Sequence, residues 1–328
     1  MIRAAAPFAA AAVFFVAVFG WSGCAWSQAL GSTTQPATSG FCQPVLLSLQ
    51  SEPPSVYTPP SANQEVDGLN AGGVHVDLDV RFMTDYIYRG LDFSDGQGFG
   101  SLATSSGGTS SFGQEDGLNL QFDGKITWDL GKLPHPYVEL FVNVFNSDPE
   151  SRFQVVQPTF GLEWNLRPLI VNVGQQSYLY PERDDLNTAE IFAKLTLDDS
   201  YFFHTDQPIF SPYFYAAYDY DLYDGWYFET GIKHDFPISD TGITLTALAD
   251  VAYVLGDAQF SANGTDDTGF QHYDLGLITT FSMNSIFHFS HRYGEYEIKG
   301  YLFYTNGIDQ GLLADPQVWG GVGIRFQY

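Results

Sequence analysis

The chain repeats one pattern about twelve times: an extended stretch in which apolar and polar residues alternate. The last stretch shows it plainly. Counting back from the end, Tyr328, Phe326, Ile324 and Val322 share one face, while Gln327, Arg325, Gly323 and Gly321 share the other. A strand with this period of two has an apolar environment on one side and a polar one on the other. An edge strand of a water-soluble sheet reads the same way when taken singly. The number of such stretches and the order of their connections decide between the two.

Beyond the first residues, no run approaches the roughly 18 consecutive apolar residues of a membrane-spanning helix. If the chain crosses a bilayer, it must do so as a closed barrel, because open sheet edges cannot face lipid. The composition fits. Aromatic residues make up 16% of the chain, with 20 Tyr, 28 Phe and 33 Gly, as suits a β-rich protein. The mean hydropathy of −0.09 is near neutral, as it is when only every second residue faces lipid. Lys+Arg number 13 against 38 Asp+Glu, a formal charge of −25, which argues against nucleic acid as a partner.

The start reads as an export signal. Arg3 precedes the apolar run Ala4 to Phe19, and residues 1–27 form a signal peptide cleaved after Ala25-Trp26-Ser27. The alternatives are lipidation of Cys24 within Trp21-Ser22-Gly23-Cys24 and a retained anchor. Cleavage after Ser27 leaves Cys42 alone, without a disulfide partner. Residues 28–73, with Pro53-Pro54 and Pro59-Pro60, read as a flexible periplasmic linker in which the short run Pro44 to Leu49 is a candidate for weak docking or pairing.

Residues 74–328 then read as an all-β fold, a single-chain antiparallel transmembrane β-barrel of about twelve strands. The first strand alternates Val74, Val76, Leu78, Val80 and Phe82 outward and keeps that parity to Tyr86 and Tyr88. Further strands are marked by Leu118 to Leu130, Val138 to Val144, Val156 to Leu166, Leu169 to Val173 and Glu190 to Leu197. The rest are Phe214 to Tyr220, Trp226 to Ile232, Ile243 to Tyr253, Tyr273 to Phe281, Tyr296 to Tyr304 and Val318 to Tyr328. An even strand number puts both ends of the barrel domain at the periplasm. Connections on that side are mostly short, such as Gly131 to Pro134 and Arg167-Pro168. Those on the other side include the long Gly90 to Gly117 and Gly256 to Gly269. Outward aromatics sort by strand end. Tyr86, Tyr88, Tyr218, Tyr220, Trp226, Tyr253, Tyr273 and Tyr304 fall at the external ends, and Trp128, Trp164, Phe281, Tyr296, Phe326 and Tyr328 at the periplasmic ends. Two aromatic girdles are expected of a barrel in lipid.

The segment Thr84-Asp85-Tyr86-Ile87-Tyr88-Arg89-Gly90 resembles a signature at the end of the first strand in the TorF-type porins, a set of bacterial outer-membrane barrels. In that family a Ser stands where this chain has Thr84. Tyr178-Leu179-Tyr180-Pro181 with Thr188-Ala189-Glu190-Ile191, and Arg292-Tyr293-Gly294-Glu295-Tyr296, are similar to later family stretches, with Tyr296 where Trp is usual. Asp85, Tyr86, Arg89 and Gly90 carry the first motif. The resemblance implies an outer-membrane barrel of porin type and brings no catalytic residues. The terminal aromatics Phe326 and Tyr328 resemble the assembly signal of such barrels, which makes the barrel-assembly machinery and outer-membrane lipids the expected partners.

The polar rows place Asp77, Asp79, Arg81, Asp123, Lys125, Glu163, Glu190, Asp250, Asp274 and Arg325 on the lumen. A hydrated lumen with more acid than base favours cations or neutral polar solutes; a network of paired charges filling a narrow barrel is the competing reading. Arg89 beside Gly90 reads either as an organiser of the first loop or, more simply, as an interfacial cation at a bend. The acidic pairs Asp92/Asp95, Asp184/Asp185 and Asp266/Asp267 lack EF-hand spacing, and His272 with Asp274 reads as polar lining, so no metal and no cofactor is expected. His288-Phe289-Ser290 has the look of a hydrolase pair but falls in a periplasmic connection without its structural context. The expected function is passive diffusion of small hydrophilic solutes or ions across the outer membrane, without catalysis. The alternatives are a structural or surface-binding barrel acting through Gly90 to Gly117, and a lipid-acting enzyme.

Overall fold

The computed structural model describes residues 73–93, 118–145, 154–181, 184–238, 241–261, 267–314 and 316–328. The signal peptide, the linker up to residue 72 with its Pro44–Leu49 run, and Asp95 and Asp266 lie outside the described residues.

Twelve strands form one closed antiparallel barrel. These are β1 (Val74–Met83), β4 (Asn119–Trp128), β5 (His135–Phe145), β6 (Gln154–Leu166), β7 (Leu169–Tyr178) and β8 (Thr188–Leu197). The others are β9 (Tyr213–Asp219), β10 (Trp226–Ile238), β11 (Ile243–Leu255), β12 (Thr268–Ser282), β13 (Glu295–Gly307) and β14 (Gln317–Gln327). The wall closes where β14 pairs with β1, with Asp79 opposite Arg325 and Leu78 opposite Phe326. Val76 and Tyr328 exchange both backbone hydrogen bonds, at 2.7 and 2.8 Å, so the last residue finishes the seam.

The alternation sorts the two faces. Phe122, Phe160, Trp164, Leu275, Leu302, Val322 and Ile324 project outward and are exposed, while Gln121, Lys125, Gln157, Glu163, Asp274 and Arg325 are buried inside. A predominantly apolar exterior on a closed sheet calls for lipid around it, because such a patch is too large for a water-facing surface and a barrel has no edge to pair. Leu275, at mid-strand in β12 and 49% exposed, tests this. Leu275→Arg is expected to cost about 2–4 kcal/mol of folding stability in bilayers. Urea titration in lipid vesicles measures it; an unchanged midpoint means that this face does not meet hydrocarbon.

Several connections hold more structure than their sequence indicates. A short helix, α1 (Ser200–Phe203), joins β8 to β9, and another, α2 (Met283–Phe287), follows β12, capped by Ser282 Oγ accepting the Ser285 amide at 3.3 Å. A 3-10 turn, His291–Tyr293, completes the connection from β12 to β13. β10 runs on to Ile238, beyond the Trp226 to Ile232 stretch that marks it in the sequence, and Pro237 still pairs opposite Thr244 near the strand end.

One difference bears on function. Tyr86 and Tyr88 are not in the outer girdle. The wall strand ends at Met83, the chain turns inward, and β2 (Ile87–Tyr88) and β3 (Leu91–Asp92) form a small hairpin of their own. Its side chains Tyr86, Ile87, Tyr88, Leu91 and Phe93 are almost completely buried. The period of two continues through this turn, so parity alone projects the wall strand too far.

Candidate functional site

The barrel interior divides into an aromatic end far from the chain's C-terminus and a charged end near it. At the far end, Tyr86, Tyr88, Leu91 and Phe93 of the hairpin pack against wall residues that include Phe141, Tyr178, Phe192, Tyr213, Tyr215 and Tyr227. The rings of Tyr86 and Phe141 stack at 6.0 Å, and Tyr88 meets Tyr178 edge-on at 5.4 Å. Phe260 and Leu312, from the connections after β11 and β13, join the same cluster, and the Leu313 amide donates to the Phe260 carbonyl at 2.8 Å. Sequence reasoning named only the charged inward residues. Tyr213, Tyr215 and Tyr227 also fall on inward rows, and aromatics on a nominally watery lumen were the available signal that something packs there.

The hairpin turns at Arg89 (φ 50°) and Gly90 (φ 75°). Two successive positive-φ residues match the twist of a tight hairpin, and the first position is usually Asn or Asp. Placing Arg there costs roughly 1–2 kcal/mol, and its side chain offsets this. Arg89 Nη2 donates to both carboxylate oxygens of Glu190, at 2.8 and 2.9 Å, and its guanidinium lies 4.1 Å from the centroid of the Tyr227 ring. Glu190 also accepts from the hydroxyls of Tyr178 (2.7 Å) and Tyr215 (2.9 Å), and Tyr88 donates to Tyr178. Arg89 is therefore an organiser of the inserted segment and not an interfacial cation; burial beside Glu190 leaves it no route to the interface. Gly90 is fixed twice over, since a Cβ there would also lie 2.8 Å from His272. Gln157 donates to the Tyr86 hydroxyl at 2.9 Å, and Gln317 donates to Asp92.

Toward the C-terminal end the lumen is a lattice of opposite charges. Arg325 forms a two-pronged pair with Asp77, its Nε at 2.8 Å, across the closing seam. Arg81 lies 3.2 Å from Asp79 and 3.5 Å from Asp123, and Lys125 lies 3.5 Å from Glu163 and 4.3 Å from the centroid of the Tyr137 ring. Each of the ten lumen residues named from the sequence is on the inner face, and all but Asp77 and Asp123 are buried. Pairing links Asp77, Asp79, Arg81, Asp123 and Arg325 near the seam and Lys125 with Glu163 beside them. Glu190 belongs to the hairpin network instead, and Asp250 and Asp274 stand opposite each other on β11 and β12.

On the far rim, burial pushes the Asp257 carboxyl up to about 7, and its Oδ1 accepts the Gln259 amide at 3.0 Å. Ser290 Oγ accepts the Arg292 amide at 3.3 Å and so caps the 3-10 turn, while His288 (φ 58°) ends α2; both lie in a connection at the C-terminal end. Phe326 packs on Tyr296, with ring centroids 5.0 Å apart. Asp85 accepts from the Thr84 hydroxyl at 2.6 Å, just where the chain leaves the wall.

No protein-family model and no curated protein matches the chain. Among solved structures, it is similar to the NanC porin (TM-score 0.44, 11% identity, 76% of this chain and 98% of that one) and to the KdgM porin (TM-score 0.40, 10% identity, 77% and 99%). An outer membrane channel from Pseudomonas putida F1 is also similar (TM-score 0.42, 8% identity, 78% and 96%).

Proposed function

We propose that this barrel sits in the bacterial outer membrane, reached through the export signal and the barrel-assembly machinery, and acts there as a porin-like channel. It passes small hydrophilic solutes or ions by diffusion, with a weak preference for cations, and catalyses no reaction. One observation carries the reading. Buried polar atoms along the inner wall, among them Asp79 Oδ1, Asn143 Oδ1, Asn172 Nδ2 and Thr196 Oγ1, have no protein partner. Bound water is a usual partner for such groups, which supports a lumen that holds water between its ion pairs. The acidic excess of the lining favours cations. The hairpin of β2 and β3 makes the channel a narrowed one, with its far end closed down by aromatic side chains. The motif Asp85, Tyr86, Arg89 and Gly90, and with it the TorF-type likeness, corresponds to this constriction.

A second reading has its own support. The hairpin is bonded to the wall through Arg89, Tyr86 and Asp92, which suits a permanently filled barrel with a structural role. Planar-bilayer recording of the full-length folded protein separates the two. Discrete conductance steps with cation selectivity are expected for the channel. A folded barrel that gives no steps, either as wild type or with the Arg89 contact removed, is a structural barrel.

A further inference from the structure

Among the described residues, the wall pairing shifts register at one place. Between β11 and β12 the register shifts so that Gln271 and His272 together oppose Ala252. Such a bulge turns consecutive side chains the same way, and bulges re-aim side chains at functional sites. Here Gln271 and His272 are both fully buried, and His272 is brought beside Asp274 of its own strand and Asp250 of the next. The candidate ligand atoms of Asp250, His272 and Asp274 lie within 4.8 Å of one another, and the residues are 7%, 1% and 2% exposed.

The hydrogen bonds around the bulge assign the histidine's protons. Gln271 Nε2 donates to the carbonyls of Arg89 (2.6 Å) and Leu313 (3.1 Å), which fixes the orientation of its amide. Its Oε1 then faces His272 Nδ1 at 3.1 Å, so Nδ1 carries the proton. A neutral ring leaves Nε2 with a lone pair, and Nε2 lies 3.3 Å from Asp274 Oδ2. Two electron-rich atoms at that separation need a positive centre: a second ring proton or a metal ion. A proton serves Asp274 Oδ2 alone. Both oxygens of Asp250 and Oδ1 of Asp274 are buried without a hydrogen bond of ordinary geometry. Glu229 is not available as a ligand, since the hydroxyls of Tyr213 and Tyr227 take its two oxygens at 2.6 and 2.7 Å. Lys194 supplies positive charge toward Asp250 but is held over the Tyr213 ring at 4.3 Å.

We propose that Asp250, His272 and Asp274 bind one divalent transition-metal ion inside the barrel. The inference does not need the channel reading. Two carboxylates and one neutral imidazole balance a double charge, and the Gln271 carbonyl behind the ring is the partner that orients a metal-bound histidine. The nitrogen donor favours zinc or a neighbouring first-row ion over calcium or magnesium, and three protein ligands leave a position for water from the lumen. Bond lengths of about 2.0–2.2 Å require the ligand atoms to close by roughly an ångström. Because His272 is also the wall against which Gly90 rests, the ion lies directly under the hairpin turn.

The test uses the full-length folded protein in detergent micelles, stripped with chelator and titrated with Zn²⁺ alone by calorimetry and with Co²⁺ alone by visible absorption. One ion per barrel is expected, with affinity falling at least tenfold in His272→Gln and in Asp250→Asn and unchanged in Asp79→Asn. Failure of the wild-type barrel to bind either ion overturns the proposal, as does undiminished binding in both ligand variants. Should Asp250→Asn not fold, the wild-type stoichiometry and the size-conserving His272→Gln decide. Binding is read in micelles, so the result is independent of whether the barrel conducts.

Discussion

Replacing Arg89 with alanine is expected to unseat the hairpin, raising single-channel conductance and lowering stability by about 3–5 kcal/mol, the usual cost of leaving one member of a buried ion pair uncompensated. Both partners are deeply buried, Arg89 at 7% and Glu190 at 1% exposure. The guanidinium is the piece that ties the turn to β8, to the ring of Tyr227 in β10 and to the hydroxyl of Tyr215 in β9, at 3.3 Å. Without it, Glu190 keeps its hydroxyl donors but faces them as a buried anion with no counter-charge. The positive-φ backbone at residue 89 then has no side-chain interaction to offset its strain. Tyr86, Tyr88 and Phe93 lose the anchor that holds them against the wall, and the constriction opens. Planar-bilayer recording measures the conductance, and urea unfolding in vesicles measures the stability. The double variant Arg89→Ala with Glu190→Gln is expected to recover part of the lost stability, because it removes the stranded charge, while conductance stays high. If Arg89→Ala matches the wild type in both measurements, something other than this pair seats the hairpin.

Removing Phe326 through Tyr328 is expected to block insertion into the outer membrane. Deletion of Tyr328 alone breaks both backbone bonds with Val76 and opens the seam at its end. Deletion through Phe326 also removes the ring packed on Tyr296 and the last cross-strand positions opposite Asp77 and Leu78. Gln327 goes with them, and with it a 3.0 Å hydrogen bond to Asp77. A barrel short of its closing pairs leaves unpaired backbone groups in hydrocarbon, each costing several kcal/mol. Membrane fractionation and the resistance of the folded barrel to detergent unfolding report the outcome. Normal insertion of the truncated chain is the contrary result, and it means that the closing strand needs neither residue.

Much of the wall was legible because a barrel has a local code. Each residue faces either lipid or lumen, so Leu275 and Asp274 are assigned by neighbours within a few positions. The seam was legible for the same reason: β1 and β14 are the only strands left without a sequence neighbour on one side, and Arg325 lies among acids on the partner strand. The hairpin was not. Its letters continue the alternation of β1, and what separates Phe82, in the wall, from Tyr86, inside it, is where the chain leaves the sheet. One clue was present: Ile87 falls on the row that parity assigns to the lumen, where an apolar side chain has no business unless something covers it.

The sequence by itself determined the fold class, the closed wall, the two sides of the wall strands away from the hairpin and the bulge, and the polar character of the lining, since these follow from a repeated period of two and from the demand that no backbone group face lipid unpaired. Only the tertiary structure decided what fills the interior. Whether Arg89 meets water or Glu190 depends on residues far apart in the chain arriving at one height in the barrel. So does the bulge that turns His272 toward Asp250, because a one-residue slip between β11 and β12 appears in their pairing and in neither strand alone.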